Sequence, residues 1–292
     1  SYGHLRASDC TIIEKDLDTK VFKVKTVKDY QKLLLNNNII LSHEEREQKI
    51  IKKFESFYKV KNFKNLYDLK LLKEVTNIVE DPQVLLIDFD KKYLELPKEI
   101  IISTLQNHQR YFPILDKKDE ITNFFLAVTN KKDTNNLIKD GNKRVVEARL
   151  ADAKFFWDKD KSKNLIKQIA KLKDVKFYEG LGSVYDKTQR LRKLSGMLAD
   201  EFNLNKEKAE IAASISKSDL CSDLVNEYPD LQGLMGKYFA LSQGFEDDVS
   251  NAVSDHYLPL GNNSMTSKKP ISYVVAISDK IDTLVGFFLI NE

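Results

Sequence analysis

Residues 106–161 read QNHQRYFPILDKKDEITNFFLAVTNKKDTNNLIKDGNKRVVEARLADAKFFWDKDK and contain the pattern that decides the fold. Within this stretch, Tyr111–Leu115 and Asn123–Thr129 have the composition of two β-strands in a hairpin. Gly141–Asn142 predicts a turn that precedes a helix. Apolar residues at helical spacing predict one buried stripe on that helix: Val146, Leu150, Ala153 and Trp157. The stretch therefore predicts a small sheet followed by a core helix that carries basic residues on its other faces.

The segments on either side extend this pattern to an α+β fold. Two helices are predicted within about residues 43–80, the first capped by Ser42, and they form a helical hairpin inserted into a mixed α/β domain. After about residue 165 the apolar residues recur only at helical spacing, and one such stripe joins Leu191 to Phe202. The sequence predicts a mixed α/β domain at residues 1–165 and an all-α domain at residues 166–292.

Composition limits the class of protein. The chain has 292 residues and two cysteines, which are too few for a disulfide framework. No apolar run reaches the roughly 20 residues needed to cross a bilayer, so we expect a cytoplasmic protein without a membrane partner. The chain begins at Ser1 and stops after the apolar run Thr283–Ile290, so we expect a piece of a longer protein, truncated at its C-terminus.

Charge is distributed unevenly along the chain. Residues 139–176 hold twelve Lys and Arg against six Asp and Glu, whereas residues 217–258 hold two against eight. A basic segment beside an acidic one predicts an anionic partner for the first and a cation or basic partner for the second. The alternative is that both segments are ordinary solvated surfaces.

The basic helix and the block that precedes it have the side chains that bind RNA. Lys and Arg bind phosphates, while aromatic rings and guanidinium planes stack on unpaired bases. The candidate RNA-binding residues are His108, Arg110, Tyr111, Lys143, Arg144 and Arg149. An alternative stays open, in which the aromatic residues belong to the core and Arg149 only pairs with Asp152 on the surface.

A weaker pattern lies in the helical half. The spacing of Lys217–Ser218–Asp219 and Ser278–Asp279, on two predicted helices, is similar to that of the aspartates in HD-type phosphohydrolases, which bind a metal ion through histidines and aspartates. Here Ser218 and Asp186–Lys187 stand where histidines are expected. Two carboxylates without imidazoles make a poor transition-metal site. We therefore predict an HD-like fold with no metal and with degenerate site positions at Asp186, Lys217, Ser218, Asp219 and Asp279.

No catalytic residue is predicted. The four histidines do not form a nucleophile–base–acid set with neighbouring residues, and no Cys/His cluster has zinc-binding spacing. Gly180 and Gly182 lack the strand–turn–helix context and the lysine of a phosphate-binding loop.

Seven stretches, read in order, resemble the β subunit of the bacterial two-subunit glycyl-tRNA synthetase. They include NHQRYFP at 107–113, GNKRVVEARLAD at 141–152, LGSVYDK at 181–187, KSDL at 217–220 and SDKIDTLVG at 278–286. Members of this family also resemble the chain at the degenerate HD positions, so a lost metal site is the expected state.

The resemblance implies a heterotetrameric α2β2 enzyme that joins glycine to tRNA(Gly) with ATP and Mg²⁺. The catalytic site lies on the α chain, so this chain is expected to hold no cofactor and to supply tRNA binding and subunit assembly. Its first domain resembles the editing-type domain of the phenylalanyl synthetase β chain, and its second is HD-like. Two alternatives stay open: a metal-dependent HD-type phosphohydrolase, and a structural scaffold without RNA affinity.

Overall fold

The computed structural model describes residues 8–15, 18–64, 66–261 and 264–291. The strands are β1 (Cys10–Lys15), β2 (Asp18–Lys23), β3 (Gln83–Asp88), β4 (Phe112–Leu115), β5 (Ile121–Thr129), β6 (Lys176–Tyr178) and β7 (Gly182–Ser183). The α-helices are α1 (Val27–Asn36), α2 (His43–Lys61), α3 (Leu69–Ile78), α4 (Lys98–Ser103), α5 (Leu137–Lys161), α6 (Leu165–Ile169), α7 (Val184–Glu201), α8 (Lys206–Ile215), α9 (Asp223–Glu227), α10 (Leu234–Ser242), α11 (Asp247–Asp255) and α12 (Pro270–Leu289). The predicted α+β class is confirmed, with small sheets and a helical C-terminal region.

The chain divides into two compact units. The first contains the residues up to Leu94 together with Thr104–Glu147, and the second contains Glu95–Ser103 and the residues from Ala148 onward. No helix among the residues that the structure describes is long and apolar enough to cross a membrane.

The first unit is built on a three-stranded antiparallel sheet in the order β3–β5–β4. Strand β5 pairs with β3 along the whole of β3, with Gln83 opposite Thr129 and Asp88 opposite Phe124. Strands β4 and β5 form a hairpin whose turn is closed by the amide of Asp116, which donates to the carbonyl of Glu120 (2.9 Å). The predicted hairpin is therefore confirmed.

Helices α2 and α3 begin where polar side chains satisfy their first amides. The Ser42 hydroxyl accepts from the amide of Glu45 (3.1 Å), and the Asp68 carboxylate accepts from the amide of Leu71 (2.9 Å). The apolar faces of both helices join the sheet in one core, which includes Ile50, Phe54, Tyr58, Leu72, Val75, Phe112 and Leu126. The Phe54 ring meets the Phe112 ring at 4.8 Å between centroids.

The predicted turn at Gly141–Asn142 is wrong, because both residues lie inside α5. The helix begins earlier because the Asp133 carboxylate accepts from the amides of Ile138 (3.3 Å) and Lys139 (2.9 Å), which satisfies two donors at its start. A single glycine in a 25-residue helix costs about 1 kcal/mol, too little to end it. The predicted stripe is confirmed as buried: Val146, Leu150, Ala153 and Trp157.

The second unit is a helical assembly in which α7 contacts α8 and α12, and α11 contacts α8, α10 and α12. The buried face of α7 differs from the predicted stripe, because Phe202 is 48% exposed whereas Lys187, Ser195 and Ala199 are buried. Ser195 donates its hydroxyl to that of Ser278 on α12 (2.9 Å). The helices therefore meet through small and polar side chains, which apolar periodicity does not reveal.

We expect Phe54→Ala to lower the free energy of unfolding by about 3 to 5 kcal/mol, because a fully buried ring leaves a cavity. Urea denaturation followed by circular dichroism would measure this change. Val60→Ala, on the same helix at an 81% exposed position, is the matched control and should have little effect. Equal effects of the two substitutions would show that Phe54 does not anchor the core.

Candidate nucleic-acid interface and buried ionic cluster

Tyr111 joins the polar–aromatic block to the start of α5. Its hydroxyl donates to the side-chain oxygen of Asn142 (2.6 Å), and its ring stacks on Phe125 with 5.0 Å between centroids. Burial raises the pKa of the Tyr111 phenol. The residue is half-buried, so its ring serves the packing of the first unit while one edge stays accessible.

Arg110 is engaged in contacts within the first unit. Its backbone has φ of 59°, and its Nε lies 2.5 Å from Oε1 of Glu74 on α3. The guanidinium also donates to the carbonyls of Gln106 (3.4 Å) and Asn107, although the side chain stays 46% exposed. His108 is half-buried in the π-helical turn Thr104–His108 just before. Arg110 can reach a phosphate only by exchanging these partners.

The three candidate cations of α5 differ in how their charge is used. Lys143 places its ammonium 2.8 Å from the Asp88 carboxylate, and this hydrogen bond raises the pKa of Lys143 and lowers that of Asp88. Arg149 lies 3.5 Å from Glu227. Arg144 is exposed and forms no salt bridge with any residue that the structure describes. Arg144 is thus the α5 candidate whose charge is most available to a ligand.

Further along the basic segment, several lysines are also exposed without a salt bridge to any described residue: Lys161, Lys167, Lys171 and Lys173. In contrast, Lys154, Lys159 and Lys163 are paired with carboxylates. The count of charged residues in the sequence includes all of these lysines, but it does not distinguish those with a salt bridge from those without one. The structure therefore identifies these four lysines as further candidates within the second unit.

A buried ionic cluster, formed by Lys187, Lys217, Asp279 and Asp282, lies inside the second unit. The ammonium groups of Lys187 and Lys217 lie 3.0 and 3.1 Å from the two oxygens of the Asp279 carboxylate. Lys187 also lies 3.2 Å from Asp282. No side chain of the cluster is more than 13% exposed. The cluster joins α7 and the turn that precedes α9 to α12.

Burial and pairing with opposite charges have opposing effects on the pKa values of Lys217 and Asp279. Burial lowers the pKa of Lys217 to about 8, although Asp279 opposes this shift. Burial by itself would raise the pKa of Asp279, but the ammonium groups of Lys217 and Lys187 lower it to about 2. At neutral pH the cluster therefore holds an ionised carboxylate between two cations.

Asp219 and His256 are buried near the cluster but have partners of their own. The Asp219 carboxylate accepts from the amides of Gly233 (2.5 Å) and Gly236 (3.1 Å). Burial raises its pKa to about 6, and these amides lower it only in part. Burial also lowers the pKa of His256 well below the ordinary value, so the ring is neutral and donates from Nδ1 to the carbonyl of Val253 (2.8 Å).

The structure brings only some of the predicted HD positions together. Lys217 and Asp279 meet, whereas Asp186 is exposed and forms a capping box with Ser183 at the start of α7. Lys217 immediately precedes a 3-10 turn that contains Ser218 and Asp219, so the predicted α-helix at these residues is wrong. From the sequence, Lys187 was named only as standing, with Asp186, where a histidine is expected, and its ion pairs were not predicted. Its position on the same face of α7 as Val184 and Leu191 is the signal that predicts burial.

The donor set does not fit a divalent metal ion. Two ammonium groups already face Asp279 and would repel a cation, and Asp219 accepts from backbone amides instead. Among the residues that the structure describes, no group of three or more His, Cys, Asp or Glu side chains could hold a metal. The cations of two lysines therefore take the role that a metal ion would have beside Asp279.

A family model described as glycyl-tRNA synthetase beta subunit matches residues 1–292. The chain belongs to this family. The glycine–tRNA ligase beta subunit of Listeria welshimeri is 39% identical over 276 residues, which cover 93% of this chain and 40% of the relative. That of Rickettsia typhi is 38% identical over 293 residues (100% and 43%), and that of Thermodesulfovibrio yellowstonii 35% over 278 (94% and 41%). The chain spans about two fifths of the length of these relatives, and the resemblance found in the sequence is confirmed.

In this member of the family, Asp279→Asn should lower the free energy of unfolding by about 3 to 5 kcal/mol, because two buried ammonium groups lose their shared counter-charge. Thermal and urea denaturation would measure the loss. Glu179→Gln is the matched control, since it removes a carboxylate whose pair with Lys176 is exposed. A stability equal to that of the control would show that the cluster does not hold these helices together.

Asp219 should make stability depend on pH between about 4 and 6. Its pKa is raised from 3.8 to about 6 in the folded chain, so the folded state retains a proton that the unfolded state has lost. Its contribution is present at low pH and is lost as pH rises through about 6. Denaturation at several pH values should show that Asp219→Asn removes this slope, up to about 1.4 kcal/mol per pH unit. Parallel pH profiles for both proteins would contradict the assignment.

Proposed function

We propose that this chain is part of the β subunit of a two-subunit glycine–tRNA ligase and supplies tRNA binding and subunit assembly. The membership of the family carries this proposal, together with exposed cations that have no carboxylate partner among the described residues. Arg144 is such a cation in the first unit, and Lys161, Lys167, Lys171 and Lys173 are such cations in the second. Unpaired cations can exchange counterions for phosphates without first breaking a salt bridge.

The chemistry of the ligase is assigned to the other subunit. We propose that the α chain binds glycine, ATP and Mg²⁺ in the cytoplasm, and that this chain holds no cofactor of its own. The buried ionic cluster supports a structural role for the helical region, because its ionisable groups neutralise one another. We further propose that the helical region after residue 165 is HD-like and that the first domain is similar to the editing-type domain of the phenylalanyl synthetase β chain.

Surface charge also supports a protein partner. Part of the acidic segment is used internally, because Asp219 is buried and Asp223 pairs with Lys159 and Lys163. Asp247 and Asp248 stay exposed in the first turn of α11, although Asp248 pairs with Lys208. We propose that the remaining acidic surface contributes to contact with the α subunit or with a basic neighbouring domain.

Neutralising Arg144 should weaken binding of tRNA(Gly) to the complete two-subunit enzyme. Arg144→Gln removes a charge that no described residue neutralises, so the slope of log affinity against log salt should become shallower by about 1. Filter binding or fluorescence anisotropy with a tRNA(Gly) transcript across a salt series would measure affinity and slope together. Lys143→Gln and Arg149→Gln should have smaller effects, because their charges are already partly neutralised by Asp88 and Glu227.

Lys59→Gln is the matched control, because Lys59 is exposed on α2 and forms no salt bridge with a described residue. An Arg144→Gln enzyme with the affinity and the salt slope of this control would remove Arg144 from the interface. A complete enzyme that does not bind tRNA(Gly) at low salt would overturn the proposed function.

A further inference from the structure

A cavity of about 580 Å³ opens on the second unit between α6, α7 and α8. This volume lies within the range of pockets that hold small ligands. Its lining includes the apolar side chains of Ile169, Ile211 and Ile215. Ile166 lines the cavity and is 58% exposed, so the apolar surface continues to the mouth. The buried ionic cluster contributes no residue to the lining.

One wall of the cavity pairs an aromatic ring with a cation. Tyr185 on α7 is half-buried, and the ammonium of Lys173 lies 5.0 Å from the centre of its ring. Lys173 is exposed and has no salt bridge within the described part of the chain. The ammonium lies over the ring, so a base can stack on that face when the ammonium moves from the ring to a neighbouring phosphate.

The cavity is also lined by hydrogen-bonding groups of both kinds. Arg192 on α7 lies 3.2 Å from Glu210 on α8, and Gln189 lines the cavity beside it. Glu207 also lines the cavity and forms no salt bridge with a described residue. A carboxylate accepts from the amino groups of adenine, cytosine or guanine, whereas it has no such donor on uracil.

Exposed lysines lie next in sequence to residues that line the cavity. Lys167 and Lys171 follow the lining residues Ile166 and Ala170 by one position each, and both are exposed without a salt bridge to any described residue. Together with Lys173 they form a row of free cations beside an aromatic, mostly apolar cavity. This charge complements the backbone of a single-stranded nucleic acid.

We propose that this cavity binds one unstacked nucleotide of the tRNA, with its base against Tyr185, an amino group of the base toward Glu207, and its phosphates on Lys167, Lys171 and Lys173. The assignment rests on the proposed function, since it names the part of the chain that takes an RNA base. A single nucleotide would contact the Tyr185 ring, the Glu207 carboxylate and the three lysines.

The test uses the complete two-subunit enzyme and a tRNA(Gly) transcript. Tyr185→Leu keeps an apolar side chain but removes the stacking face, so affinity should fall by about five- to a hundred-fold with an unchanged salt slope. Tyr185→Phe restores the ring and should recover the affinity. Thermal unfolding and size-exclusion chromatography of each variant would establish that it folds and assembles.

Charge at the mouth gives an independent measurement. Lys173→Gln should make the salt slope shallower by about 1, unlike Tyr185→Leu. Lys268→Gln is the control, because Lys268 is exposed in the same unit, forms no salt bridge with a described residue and does not line the cavity. A photoreactive phenylalanine analogue at position 185 should crosslink to one unpaired nucleotide.

The outcomes separate this inference from the proposed function. If the unsubstituted enzyme binds tRNA(Gly) and Tyr185→Leu binds it equally well, the cavity is not a nucleotide site and the proposed function stands. An equal loss in Tyr185→Leu and Tyr185→Phe would also overturn stacking. If the unsubstituted enzyme binds no tRNA(Gly), the proposed function fails first.

Discussion

The helical unit depends on one electrostatic constraint, which is that the Asp279 carboxylate is buried and must be neutralised. Two ammonium groups do this from different parts of the chain, Lys187 on α7 and Lys217 ahead of the 3-10 turn. With only one cation, the cost of removing the Asp279 carboxylate from water would be offset only in part. Without the carboxylate, the two buried ammonium groups would repel each other and destabilise the fold more strongly. Helix α7, the segment before the 3-10 turn and helix α12 are therefore held together by charge as well as by packing.

The cluster differs from a metal site in the way its carboxylates are neutralised. In a metal site the cation attracts several carboxylates and imidazoles to one point, whereas here the cations are tethered to the chain itself. Lys187 also reaches Asp282, and Arg190 contacts the same carboxylate at 2.6 and 3.1 Å. The result is a network whose geometry does not depend on metal supply.

Helix α5 and the segment after it show how charge is divided between structure and binding. The buried stripe from Val146 to Trp157 commits one face of α5 to the core, where the Trp157 ring stacks on Phe239 at 5.6 Å. Several cations on its other faces are neutralised within their own unit, and the charges left over are those of Arg144 and the exposed lysines from Lys161 onward. A net excess of charge becomes a binding surface only through residues that have no internal partner.

The sequence by itself determined the family, the α+β class, the β4–β5 hairpin, the Ser42 cap and the buried stripe of α5. These features depend on motifs in a fixed order or on side chains a few positions apart, and both can be recognised in the amino-acid sequence. Local reading failed at Gly141–Asn142 because the start of α5 is set by Asp133, whose side chain caps amides five and six residues away. Only the tertiary structure decided that Lys187 is buried against Asp279, that Arg144 is free while Lys143 is paired, and that Tyr185 and Lys173 share a cavity. Such pairings join residues that are distant in sequence, and local periodicity carries no information about which distant side chains will meet.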